Sequence, residues 1–231
     1  MKRLLLLFTV NAAIFLGDGS GVALSRYSAH DFQLTTDPAA EPWKNAPVVI
    51  ADHGAMGEAL PKYRTEIRSR WSDRYLYFLF ICPYETLHLK PNPVTEKETY
   101  GLWEWDVAEV FISDDFEHIR RYKEFEISPR AEWVDLDIDR DSLDANKAWL
   151  WNSGFKASAR IDAQKKIWYG VMQIPMDKIL RKQPANGVEM RVNLYRCQGS
   201  DPNRKYIAWQ PTHDHSFHVP EAFGRLRLVG K

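Results

Sequence analysis

WEWDVAEVFI, residues 103–112, reads as a strand with apolar matter on both sides. In an extended chain Val107, Glu109 and Phe111 share one face, and Ala108, Val110 and Ile112 the other. Both faces are largely apolar, so the strand belongs in the middle of a sheet. Glu109 then sits among apolar neighbours, where a carboxylate is costly without a partner. Two readings stay open: an internal ion pair with an arginine on the next strand, or a pocket carboxylate that meets ligand hydroxyls. Trp103 and Trp105 lie just ahead of the strand, at a loop mouth. A tryptophan there either lids the core or stacks on the C–H face of a pyranose while hydroxyl groups reach polar partners at the rim.

Comparable segments extend in both directions. Residues 63–71 alternate polar and apolar, and 74–82 form a run of Tyr, Leu, Phe and Ile. Residues 122–128 and 132–138 follow, then 155–161 and 167–174 as a hairpin, then 188–197 and 224–229. Period-2 alternation in short segments separated by turn residues predicts an all-β, antiparallel β-sandwich of the jelly-roll or immunoglobulin-like kind. One short helix is expected over 175–180, with proline at its start. Residues 25–47 read as coil. Two long loops stand out, 83–105 and 199–223, and long loops on a rigid sandwich are where binding residues gather.

The 231 residues carry 31 Lys and Arg against 31 Asp and Glu, so nothing calls for nucleic acid or an anionic membrane as partner. Nine tryptophans exceed what a core of this size usually requires; one reading places most of them in the core, and the other makes a few of them a flat ligand platform. At the N-terminus Lys2 and Arg3 precede an apolar run, 4–16, and then small residues, 17–23. This is the layout of a secretory signal peptide, too short to span a bilayer. A cut after Ala23 is expected, with Gly19 or Ser20 as alternatives. The domain then covers 24–231, secreted or periplasmic, monomeric and without a membrane span.

Several polar clusters are candidates for chemistry. Asp135, Asp137, Asp139 and Asp141 alternate along 133–144, a spacing similar to a calcium loop. The sixth position is Arg140 rather than Gly and the twelfth Asn146 rather than Glu, so a paired acidic face is the favoured reading and a metal at Asp135, Asp137 and Asp139 the other. His213, His215 and His218 with Asp214 are a weak zinc candidate. Cys82 and Cys197, each near a strand end, form either a disulfide or two buried thiols. No nucleophile, P-loop or H-E-x-x-H motif is present. Asp106, Glu109, Glu124 and Glu126 leave a two-carboxylate glycoside hydrolase open.

Four segments in order, RWSDRYLYFLFIC (70–82), WEWDVAEVFI (103–112), YKEFEISP (122–129) and WQPTHDHSFHVPEAFGRLRL (209–228), together with KIWYGVMQIPMDKI (166–179), resemble family 9 carbohydrate-binding modules and their DOMON-like sandwich relatives. The resemblance spans about residues 35–229. It implies a sandwich with no enzymatic activity of its own that holds a saccharide end between two aromatic rings, in support of carbohydrate catabolism, with structural calcium common. By position, Trp103 is similar to the first stacking ring, Glu109 to the carboxylate that accepts sugar hydroxyls, Asp214 to a hydrogen-bonding Asn, and Phe217 to the second ring, a Trp in the family. Glu126 and Ser128 stand where sugar-binding members have Arg and Asn. Exchanging a multi-donor cation for a carboxylate inverts the local hydrogen-bond polarity and sets Glu126 near Glu109. The rival reading, from the DOMON-like side, is a haem b or metal carrier with Met172 or Met190 and a loop histidine as ligands.

Overall fold

Thirteen strands make up the sheet of residues 21–142 and 149–231, the part of the chain that the computed structural model describes. They are β1 Val22–Tyr27, β2 Val48–Ala51, β3 His53–Gly54, β4 Thr65–Trp71, β5 Tyr75–Pro83, β6 Val107–Ser113, β7 Arg121–Ile127, β8 Trp133–Asp139, β9 Lys156–Asp162, β10 Ile167–Pro175, β11 Glu189–Gln198, β12 Lys205–Ala208 and β13 Gly224–Val229. Hydrogen bonds run in the order β8-β7-β6-β11-β13-β1-β4-β5-β10-β9. This one sheet folds over on itself. β6, β7, β8 and β11 form one layer, β4, β5, β9 and β10 the other, and β13 and β1 join them. Pairing is antiparallel except for β1, which runs parallel to both β13 and β4.

The alternation of β5, β6 and β11 explains why both faces of these strands are apolar. Inner side chains such as Phe78, Phe80, Val110, Ile112, Phe125, Trp168, Val192 and Leu194 meet between the layers as the main core. The outer face of the β5–β10 layer carries Tyr77, Leu79, Tyr169 and Val171, covered by Phe32, Leu34 and Trp43 from the segment after β1. Phe32 stacks on Tyr77 with ring centroids 4.0 Å apart. The outer face of the β6–β11 layer carries Val107, Phe111, Tyr122, Tyr195 and Cys197, covered by Phe217 and neighbours from the last long loop. Each cover buries aromatic area that would otherwise face water, a large stabilisation per residue.

Three expectations shift. The segment 25–47 is not all coil, because Ser25 to Tyr27 belong to β1; the remainder wraps the sandwich. The loop 199–223 contains a short strand, β12, which pairs with both β11 and β3. The helical turn at 175–180 is a single 3-10 turn, Met176–Lys178. Residues 1–20, where most of the expected leader falls, lie outside the described residues. Val22 and Ala23 stand in β1, so a cut after Ala23 would remove two of its five pairings with β13, while a cut at Gly19 or Ser20 leaves the strand whole. Among the described residues no helix is long and apolar enough to cross a membrane.

Candidate functional site

The outer face of β6, β7 and β11 carries a row of polar groups that a buried sheet face would ordinarily avoid. Glu109 is directly opposite Glu126 across the β6–β7 pair, and Glu124 follows two residues earlier on the same face. All three are buried: Glu109 is 2% exposed, Glu124 3% and Glu126 0%. No arginine of the adjacent strands meets them. Arg196, which pairs with Ala108 next to Glu109, points to the inner face, where it lies over Trp168 and bonds Thr65 and Gln198. The internal ion pair that would have explained Glu109 is therefore not formed. Counted as carboxylates, Glu124 Oε2 and both oxygens of Glu126 meet no donor.

Burial and mutual repulsion set the charge of this cluster. Desolvation, then the neighbouring Glu124, pushes Glu109 up to about 8. Desolvation pushes Glu124 up to about 7. Glu126 is raised well above the carboxylate range by desolvation and by both neighbours, and it is hydrogen-bonded to Glu124. Glu126 thus holds a proton that it donates to Glu124. Cys197 Sγ donates to Glu109 Oε1 at 3.3 Å.

A cavity of about 210 Å³ lies over this floor. Trp103, Trp149, Tyr206 and Phe217 supply aromatic walls, and Glu109 and Glu124 supply acid oxygens. Each wall is fixed from behind. Phe217 lies flat on Tyr195, with centroids 4.0 Å apart and planes 13° from parallel, and Tyr195 Oη donates to the Phe217 carbonyl at 3.2 Å. Trp103 sits in a 3-10 turn whose Leu102 is fully buried. Arg204 closes that turn: it donates to the carbonyl of Trp103, to those of Trp105 at 3.0 Å and Glu104 at 3.1 Å, and to Gly199 at 2.9 Å. Asp106, with no exposed surface, accepts from the His88 N–H at 3.0 Å, the Gly199 N–H at 2.5 Å and Gln198 at 2.9 Å, and so ties both long loops to β11. His218, also on the cavity, is driven down to about 4 chiefly by burial, and its Nδ1 shares a hydrogen bond with Tyr122 Oη at 2.7 Å.

The sequence-predicted residues divide. Trp103, Glu109 and Phe217 come together at the cavity, and Glu126 lies beneath it. Trp105 turns away and packs on His88, centroids 4.5 Å apart. Asp214 is spent on its own loop, accepting from the Ser216 N–H at 2.9 Å. His215 and His218 of the loop cluster also reach the cavity, whereas Trp149, Tyr206 and the role of Glu124 here are absent from the sequence reading, although Glu124 is legible as the same-face neighbour of Glu126.

The remaining polar clusters lie apart from the cavity or take one of their alternative forms. Cys82 and Cys197 are both free and buried. Cys82 points between the layers, whereas Cys197 points outward to Glu109, so no bridge joins them. The aspartate row is the paired acidic face that the sequence favours: Asp137 pairs with Lys123 at 2.5 Å, Asp139 with Arg121 at 3.2 Å and Asp141 with Arg120 at 2.6 Å. Asp135 is buried separately against Ser153 and Glu98. The histidines diverge, His213 to the Met56 carbonyl at 3.2 Å and His218 to Tyr122, and among the described residues no three metal-ligating groups converge. Met172 and Met190 lie in the inner core, on the far side of the sheet from these histidines. A larger groove of about 900 Å³ between Asp73–Tyr75 and Pro175–Pro184 is lined by exposed charges such as Arg74, Lys178 and Lys182, and holds no unpartnered buried group.

Sandwich, loop-built cleft and buried acid floor together define a module that presents a small lined pocket on the outside of one sheet. Residues 37–231 match the family model described as carbohydrate family 9 binding domain-like, and the chain belongs to that family. It is 24% identical over 226 residues to endo-1,4-beta-xylanase A of Thermotoga maritima, covering 96% of this chain and 19% of the enzyme. It is 23% identical to an extracellular protein of Arthroderma benhamiae, covering 81% of this chain and 87% of that one. The fold is shared with a family 9 carbohydrate-binding module of Caldicellulosiruptor kristjanssonii solved with cellotriose: TM-score 0.65, 15% identity, 91% of this chain and 94% of the other. The same holds for that organism's module solved with glucose, at TM-score 0.64 and 15% identity over 90% of this chain and 96% of the other.

Proposed function

We propose that this chain is a saccharide-binding module, exported, that holds a sugar in the cleft between Trp103 and Phe217 and serves the breakdown of a polysaccharide. The observation that carries the reading is the meeting of aromatic walls and acid oxygens in one cavity: Trp103, Trp149, Tyr206 and Phe217 above, Glu109 and Glu124 below. Pyranoses offer apolar C–H faces and hydroxyl rims, and this pair of surfaces matches both. The family membership supports it, as do the sugars in the solved relatives and the enzyme that contains a similar segment. The leader-like start and the similar extracellular protein support export.

Titration calorimetry of the folded chain with glucose, glucosamine, cellobiose and xylobiose, with and without calcium, tests it. Saturable heat that disappears in Trp103→Ala is the expected result. Absence of heat with every saccharide, or turnover of an aryl glycoside, would overturn it.

A further inference from the structure

The cleft has an excess of acid with no cation bonded to it. Glu109, Glu124 and Glu126 converge on one patch of the outer sheet face, and two of them reach the cavity. Glu124 Oε2, in a side chain that is 3% exposed, meets no N–H, amide or cationic donor from the protein; the one link of this side chain is the acid–acid bond with Glu126. A carboxylate left in such a place must find a positive partner or keep a proton. Arg204 is the guanidinium that acts on Glu109 and Glu126, but its bonds go to backbone carbonyls, Cys197 and Tyr206, not to the acids. His218 is 4.0 Å from Glu124 and is neutral. Around the acids stand aromatic rings, whose faces attract cations more strongly when water is excluded.

Building on the saccharide reading, we infer that the preferred ligand is an amino sugar whose free primary amine, as an ammonium, lies over Glu124 and Glu109 while its ring rests on the aromatic walls. An ammonium offers three donors, and the unpartnered acid oxygens take them up as charge-assisted hydrogen bonds, roughly twice as strong as neutral ones. Without this ligand the cluster retains protons instead, in keeping with the raised values of Glu109 and Glu124. Binding of the ammonium therefore expels a proton from the cluster. The other titratable and charged groups around it are Tyr122 on β7, Tyr195 and Cys197 on β11, Tyr206 on β12, and Arg204, His215 and His218 from the loop. Tyr122, Tyr195 and Cys197 are all held neutral by burial.

The test is a comparison of glucosamine, glucose and N-acetylglucosamine on the full chain by calorimetry at about pH 7, repeated in buffers of different ionisation heat. Glucosamine is expected to bind about tenfold tighter than glucose, with proton release that glucose does not show. N-acetylation, which removes the charge, is expected to remove the advantage, and so is Glu124→Gln. Glucose binding as tightly as glucosamine, or glucosamine without proton release, would overturn the amine assignment and leave the saccharide reading standing. A folded chain that binds none of the three would overturn both. The comparison among wild-type ligands stands whether or not the Gln variant folds.

Discussion

Phe217 rests flat on Tyr195, and the Tyr195 hydroxyl reaches back to the carbonyl of Phe217. One wall of the cleft is thus a loop ring backed by a strand ring. Stacked pairs contribute about 0.5–1.5 kcal/mol beyond area burial. Tyr195→Leu removes both stack and bond and is expected to weaken saccharide binding nearly as much as Phe217→Ala. Tyr195→Phe keeps the ring, loses the bonds to Phe217 and Asn193, and should cost about 1 kcal/mol in urea unfolding with a smaller loss of affinity. Unchanged binding by the Leu variant would show that Phe217 is held by its loop alone.

Arg204 does for Trp103 what Tyr195 does for Phe217. Its forked guanidinium gathers carbonyls from Trp103, Glu104, Trp105 and Gly199. A lysine is a point charge and cannot span that set. Arg204→Lys should weaken binding roughly tenfold while the unfolding midpoint in urea shifts little. It should also open the 84–105 loop to limited proteolysis. Full affinity in the Lys variant would assign the fixing of Trp103 to the buried Leu102 instead.

The strands were legible because their residues obey a two-residue period under strong apolar selection. The stretch 106–112 was placed one residue from β6, and its central position followed from apolar residues on both faces. β1 was not legible, because Val22 and Ala23 continue the small-residue run that resembles a leader. β12 was hidden for another reason: its four residues pair at the end of β11 inside a polar loop, too short to show a period. At the site, Glu109 and Trp103 stand out from the pattern of 103–112 itself and Phe217 from the resemblance alone, and the sheet register brings Glu126 beside Glu109. Trp149 and Tyr206 left no local signal, since only the folding of distant loops brings them to the cavity.

The acid floor gives stability a pH dependence whose sign is fixed. Glu109 at about 8 and Glu124 at about 7 lie above their unfolded values near 4.3. The folded chain therefore binds more protons than the unfolded one between those limits. This stability is present in full below the unfolded value and is lost as pH rises through 7 and 8. His218, lowered to about 4 from a usual value near 6.5, works the other way and only below 6.5. The thermal midpoint is expected to fall from about pH 5 to about 8, less steeply below about 6.5 where His218 opposes it, and to level off above that, and the Glu109→Gln, Glu124→Gln double variant should flatten the fall. A midpoint that rises across this interval would mean that another group supplies the acid cluster with positive charge.

Cys82 and Cys197 lie on opposite faces of the sheet system, one in the inner core and the other against Glu109. Burial pushes the Cys82 thiol up to about 12 and raises Cys197 well above its ordinary value, with Glu109 adding to the shift in Cys197. A thiol reacts through its thiolate, so both should be inert in the folded chain. Native protein at about pH 8, prepared without reductant, is expected to take up no iodoacetamide over a period in which free cysteine is fully alkylated. Unfolded in urea, again without reductant, it should take up two equivalents, one for each sulfur. Two masses of label only after reduction would mean a disulfide and a strand arrangement different from this one. Label on Cys197 alone in the native state would mean that the cleft opens far enough to expose the floor beside Glu109. Saccharide at saturating concentration should then suppress that labelling, since the ligand and the reagent would compete for the same cavity.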